Sequence, residues 1–151
     1  MFEGFLQFPL ADKRGTQVAV HTGTVRFQAQ RCPEMDDGLF DLIAARQGYA
    51  DILAVGNEVL LREELTVQEI VEYINRAREA VTGLKVSYVD AYYQFEIYPE
   101  LVEACDVLLV NCYPFWEECP ADYALLYMKD MYNRAVRAAK GKKVIISETG
   151  W

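Results

Sequence analysis

The sequence predicts an α/β fold, with short strands alternating with helices around a parallel sheet. Three observations carry that prediction. From residue 36 onward, short apolar β-branched runs give way in turn to segments of helical periodicity. The clearest helical segments open on a capping signal or a proline and close near a glycine. The strand-like runs recur about 20 to 37 residues apart, which suits either a closed (β/α)8 barrel or an open doubly wound sheet.

Residues 1–34 do not share the alternation. Within them, segments 17–20 and 25–28 flank His-Thr-Gly-Thr and read as a hairpin or as one irregular strand with a turn. His21, the one histidine, reads as a solvated turn residue. After Asp36 and Asp37, the residues Leu39, Leu42, Ile43 and Ala44 form a helical pattern that closes near Gly48. Residues 52–55 are then a buried strand. In the next helix Thr66 and Glu69 make a capping box, Val67, Ile70, Val71, Ile74, Ala77 and Val81 form the apolar stripe, and Gly83 stops it. Residues 85–89 make a second strand, Pro99 opens a short helix through Cys105, and residues 107–110 make a third strand. Pro120 starts a long helix with Ala124, Leu125, Met128, Tyr132, Ala135, Val136 and Ala139 on one stripe, ended by Gly141. Residues 144–146 form the fourth strand.

Composition narrows the function. The chain has 151 residues, is 52% hydrophobic and 25% charged, and carries a net charge of −8. That composition excludes a disordered or low-complexity chain, and scattered basic residues in an acidic protein argue against nucleic acid as a partner. Residues 1–10 contain no Lys or Arg and no signal-type apolar run, and no stretch approaches the length of a membrane span. Cys32, Cys105, Cys112 and Cys119 form no C-x-x-C pair. They read as free thiols, with a Cys112–Cys119 disulfide as the alternative and no metal set.

Reactive groups in such folds collect where strands end. The four strand ends read Val55-Gly56-Asn57-Glu58, Tyr88-Val89-Asp90-Ala91-Tyr92, Asn111-Cys112-Tyr113-Pro114-Phe115-Trp116-Glu117 and Ser147-Glu148-Thr149-Gly150-Trp151. Glu58 and Glu148 each follow a buried apolar run, so each carboxylate must sit at an open mouth or be paired. Two such glutamates on one edge suit glycosidic chemistry, in which one acid protonates the leaving oxygen and the other carboxylate attacks the sugar or activates water. Tyr88, Tyr92, Tyr93, Phe95, Tyr113, Phe115, Trp116 and Trp151 are candidate stacking faces for sugar rings, with Phe95 and Phe115 equally well read as core. Asn57, Asp90 and Asn111 are candidate hydrogen-bonding partners for hydroxyls.

The segments Ala54-Val55-Gly56-Asn57-Glu58-Val59-Leu60, Asn111-Cys112-Tyr113-Pro114-Phe115-Trp116 and Ile146-Ser147-Glu148-Thr149-Gly150-Trp151 resemble, in order and spacing, three signature segments of glycoside hydrolase family 17. This is the β-1,3-glucanase family of the (β/α)8 glycosidase clan. The resemblance spans residues 35–151 and implies an incomplete TIM barrel covering strands four to seven, with residues 1–34 unassigned.

It further implies a retaining glycoside hydrolase of the endo-β-1,3-glucanase type, with Glu58 as acid/base and Glu148 as nucleophile, and with no cofactor or metal. Asn57, Asp90, Tyr92, Asn111, Tyr113, Trp116 and Trp151 are the expected substrate-binding residues, and a β-glucan oligosaccharide or polysaccharide is the expected partner. The loop from Val59 to Thr66 resembles bacterial members more than plant ones. In that branch a β-glucan transglycosylase is the alternative activity, and a non-catalytic carbohydrate-binding remnant is a further alternative. Family habit implies a secreted or cell-envelope location. A recognisable first-strand motif, strand eight and its helix are missing from the pattern, so the chain by itself is expected to be a truncated, inactive fragment.

Overall fold

The computed structural model describes the backbone of residues 17–21, 23–28 and 50–150, with side chains from residue 51. The helix expected at 39–44, Cys32 and Trp151 lie outside the described residues.

The two N-terminal segments form an antiparallel hairpin, β1 (Gln17–His21) and β2 (Gly23–Gln28), with His21 opposite Thr24. β2 then runs parallel to β3 (Ala50–Asn57). β4 (Lys85–Ala91), β5 (Leu108–Cys112) and β6 (Val144–Thr149) follow in parallel, so the described sheet has the order β1-β2-β3-β4-β5-β6. A doubly wound sheet reverses its order at a switch point. From β2 to β6 the order never reverses, and right-handed crossovers then place successive helices on the same face, as in a barrel wall.

Helix α1 (Val67–Ala80) begins as its cap predicts. The Glu69 amide donates to Thr66 Oγ1 at 3.3 Å, and the Thr66 amide donates to Glu69 Oε2 at 2.7 Å. Val67, Ile70, Ile74 and Ala77 are buried, as the stripe requires. A short helix α2 (Gln94–Ile97), too brief to show a period, precedes α3 (Pro99–Ala104), which opens on Pro99. The Lys142 ammonium closes α3, donating to the carbonyls of Val102 at 2.8 Å, Glu103 at 2.9 Å and Cys105 at 2.7 Å.

The last helix differs from expectation at its start and on its face. Two 3₁₀ turns, Pro114–Glu117 and Ala121–Tyr123, precede α4 (Ala124–Ala138), so Pro120 opens a turn instead of the helix. The row that reaches the core is Met131, Ala135 and Ala139, whereas Leu125 and Val136 are exposed. Those two residues stand roughly a quarter of a turn from the centre of that row, because each residue advances about 100° around the helix.

Strand pleating separates two apolar layers. Leu53, Val86, Tyr88, Leu108, Val110 and Val144 pack against the helices, while Ile52, Ala54, Val89, Val107 and Leu109 cluster together on the alternate positions. We call these the helix face and the inner face. Gly56, the penultimate residue of β3, lies against the Tyr88 ring with φ +84°, and a Cβ there would lie 3.2 Å from both Tyr88 Cε2 and Val59 Cγ2. Gly56→Ala is therefore expected to cost about 2–4 kcal/mol from combined left-handed strain and overpacking, read as a lowered denaturation midpoint of the full-length protein. Gly83→Ala, at φ +80° with nothing within 4 Å, carries the strain without the clash and should cost clearly less.

Candidate active site

Simple alternation would send Asn57 to the helix face with Leu53 and Val55. An extra residue prevents this: Ala54 pairs with Ser87, but the next pair is Asn57 with Val89, so β3 bulges around left-handed Gly56. The same device recurs on β6, where Val110 pairs with Ile146 and Asn111 with Glu148. Each bulge shifts the parity of the strand by one, and the two shifts bring Asn57 and Glu148 beside inner-face Asn111.

The result is a continuous string of hydrogen bonds between the two glutamates. Asn111 Nδ2 donates to Glu58 Oε1 at 2.8 Å and to Asn57 Oδ1 at 3.2 Å. Asn57 Nδ2 donates in turn to Glu148 Oε1 at 3.3 Å. Tyr113 donates its hydroxyl proton to Glu148 Oε2 at 2.9 Å, and Ser147 Oγ donates to Asn111 Oδ1 at 2.7 Å, which fixes the Asn111 amide so that its NH₂ faces Glu58. Glu58, Asn57, Tyr113 and Glu148 are partly buried, so the carboxylates are held yet reachable. A Cβ on Gly150 would come within 3.3 Å of the Tyr113 ring, so glycine there lets the tyrosine lie against the end of β6.

Several expected substrate contacts occupy other positions. Asn111 is 2% exposed, and its described bonds go to protein groups. Asp90 is fully buried, with Oδ2 accepting from the Tyr88 hydroxyl at 2.5 Å and Oδ1 from the Ala91 amide at 2.7 Å. Tyr92 is also buried; its hydroxyl donates to Glu117 Oε2 at 3.2 Å and accepts from Arg134 Nη1 at 2.8 Å, while the Arg134 guanidinium stacks 4.7 Å from its ring centroid. The reason lies in the pleat: Tyr88 and Asp90 share the helix face with Val86, and Tyr92 continues into the same core. Among the aromatics, Tyr88 and Phe95 are core as well. Of the candidate stacking faces, Trp116 (74% exposed) and Phe115 (52%) are open, packed edge to face at 5.1 Å.

Burial pushes the Asp90 carboxyl up to about 6, opposed by hydrogen bonds from Tyr88 and the Ala91 and Leu61 amides and reinforced by the Glu58 charge. Burial, then the charge of Asp90, likewise raises Tyr88. A carboxyl with a raised folded pKa holds its proton more tightly in the folded state. Its contribution is full below about pH 4 and is lost as pH rises through about 6. In urea melts of the full-length protein, the wild type should lose up to about 3 kcal/mol more than Asp90→Asn between pH 4 and pH 7.

Cys105 and Cys112 are free and buried, which pushes their thiols up to about 12 and about 11. The alternative Cys112–Cys119 bridge is therefore not formed. Sequence reading overlooked Ser147, Tyr88 as a hydrogen-bonding group, and Arg62. A serine preceding Glu148, and a tyrosine two residues before a strand aspartate, were the available signals. No described helix is long and apolar enough to cross a membrane.

Residues 9–151 match the model of the BtgE/BtgC glycoside hydrolase domain, a match that includes β1 and β2. The probable glucan endo-1,3-beta-glucosidase eglC of Aspergillus fumigatus is 31% identical over 139 residues, covering 73% of this chain and 31% of that protein. The probable family 17 glucosidase SCW10 of Saccharomyces cerevisiae is 30% identical over 105 residues, covering 66% of this chain and 27% of that protein. Among solved structures, the glycoside hydrolase family 17 β-1,3-glucanosyltransferase of Rhizomucor miehei superposes with a TM-score of 0.64 at 35% identity, covering 76% of this chain and 46% of that one. An active-site mutant of that enzyme, solved in complex with laminaritriose, gives a TM-score of 0.65 at 34% identity, with the same coverage. The chain thus spans about a third of the curated relatives' length and just under half of the solved chains.

Proposed function

Because the chain belongs to glycoside hydrolase family 17, we propose that it supplies the two catalytic glutamates of a retaining, β-1,3-glucan-acting site, with Glu148 as nucleophile and Glu58 as acid/base. The observation that carries this reading is the hydrogen-bonded string from Glu58 through Asn111 and Asn57 to Glu148. In the assigned barrel, β3 to β6 correspond to strands four to seven, and every site residue falls within residues 35–151.

In the first step a Glu148 carboxylate oxygen attacks the anomeric carbon while the Glu58 carboxyl gives its proton to the departing glycosidic oxygen. The carbon–oxygen bond to the leaving chain breaks and a glycosyl ester on Glu148 forms. In the second step the Glu58 carboxylate takes a proton from the incoming hydroxyl, whose oxygen attacks the same carbon and releases Glu148. Water as acceptor gives hydrolysis; a sugar hydroxyl gives chain transfer. Asn57 and Tyr113 hold separate oxygens of Glu148 and so orient the attacking group. Asn57 is assigned a contact with the sugar 2-hydroxyl, Trp151 a place at the mouth, and Trp116, with Phe115 against it, a stacking platform for sugar rings in the extended glucan. Asn111, Asp90 and Tyr92 are assigned supporting roles behind this surface.

The named relatives include both endo-1,3-beta-glucosidases and a β-1,3-glucanosyltransferase, so both acceptors are assigned to this site. Incubating the full-length protein with laminari-oligosaccharides tests the proposal by product length. Shorter products with new reducing ends mark hydrolysis, and products longer than the starting chain mark transfer. Binding of the oligosaccharides without either product would overturn the catalytic reading in favour of a carbohydrate-binding remnant.

A further inference from the structure

We propose that Tyr88 and Asp90 are positioning residues for Glu58, a buried phenol–carboxylate pair that fixes the backbone on which the acid/base glutamate stands. The proposal rests on the assignment of Glu58 made above.

The Glu58 backbone needs such support. Glu58 lies at φ +55°, two residues after left-handed Gly56, and a non-glycine residue holds that conformation only when its surroundings over-determine it. Part of the restraint comes from the backbone: the Glu58 amide donates to the Val89 carbonyl of β4 at 2.9 Å, and the Glu58 carbonyl accepts from the Arg62 amide at 3.0 Å. Arg62 Nη2 adds a bond to the Asn57 carbonyl at 2.8 Å, with the guanidinium steadied by Glu64 at 2.9 Å.

The remaining restraint comes from two side chains of β4. The Leu60 amide donates to the Tyr88 hydroxyl at 2.9 Å, the Tyr88 hydroxyl donates to Asp90 Oδ2 at 2.5 Å, and the Leu61 amide acts on the same carboxylate. A phenol has one proton. By accepting the hydrogen bond that this proton makes, Asp90 turns the oxygen lone pairs of Tyr88 toward Leu60, so an amide of the Glu58 loop is captured by a phenol that the carboxylate orients. Both side chains are fully buried, so neither touches substrate, and an apolar ring alone would fill the Tyr88 site. The hydroxyl and the carboxylate therefore have a task beyond packing.

Kinetics separates positioning of an acid from general structural support. A laminari-oligosaccharide has a poor leaving group that must be protonated, whereas 2,4-dinitrophenyl β-laminaribioside does not, and added azide attacks the glycosyl ester without base assistance. In the full-length protein, Tyr88→Phe should lower kcat on the oligosaccharide about 10- to 100-fold with KM within about twofold, while turnover of the dinitrophenyl substrate in azide stays within about threefold of wild type. Asp90→Asn should show the same selective pattern, so the test survives if one variant folds poorly. Equal losses on both substrates, or no loss on either, would overturn the proposal. Glu58→Gln separates it from the parent assignment. If Glu58→Gln is selective and Tyr88→Phe is not, positioning by Tyr88 fails alone; if Glu58→Gln is without effect on both substrates, the acid/base assignment fails.

Discussion

Replacing Glu148 by alanine in the full-length protein is expected to lower release of reducing sugar from laminarin by about four orders of magnitude or more. Removing a nucleophile deletes the covalent route itself and not merely some transition-state stabilisation. The carboxylate is the meeting point of two donors, Asn57 at Oε1 and Tyr113 at Oε2. Because Glu148 is only partly buried, water can satisfy both donors after truncation, so the loss should appear in turnover while laminaritriose still binds. Unaltered reducing-sugar release from a folded Glu148→Ala protein would remove Glu148 from the reaction.

The second large effect is expected at Glu58. Glu58→Gln keeps an oxygen that can accept from Asn111 Nδ2, so the side chain can remain in place while losing its acidic proton. General acid–base assistance contributes about 10²- to 10⁴-fold, and a loss in that range is expected on laminari-oligosaccharides. Dinitrophenyl laminaribioside should be consumed at a near-normal rate when azide is present, because its leaving group needs no proton. A uniform loss on both substrates would contradict an acid/base role.

Much of the architecture is legible in the sequence because the relevant forces are local. The Thr66–Glu69 capping box, Pro99 at a helix start and the apolar strand runs all have short-range signatures, and each appears at its expected place. The motif residues Asn57, Glu58, Tyr113 and Glu148 do converge. The reason for their convergence is not local. It depends on one extra residue in β3 and one in β6, and a period-two reading predicts the opposite faces for Asn57 and Glu148. Asp90 and Tyr92 show the converse error. Proximity to a strand end suggested substrate contact, yet their parity with Val86 and Tyr88 directs them behind the site. In α4 the apolar residues outnumber the positions that face the sheet, so pattern alone selected Leu125 and Val136 and passed over Met131.

In the proposed mechanism Glu148 forms the covalent glycosyl intermediate, with Glu58 held across the Asn57–Asn111 bridge as its acid/base partner. Trapping tests it most directly: the full-length protein is incubated with a 2-deoxy-2-fluoro laminaribiosyl donor carrying a dinitrophenyl leaving group, digested, and the labelled residue identified by mass spectrometry. The predicted result is a single adduct on Glu148. An adduct on Glu58, or rapid release of dinitrophenolate with no adduct on the protein, would remove Glu148 as the nucleophile.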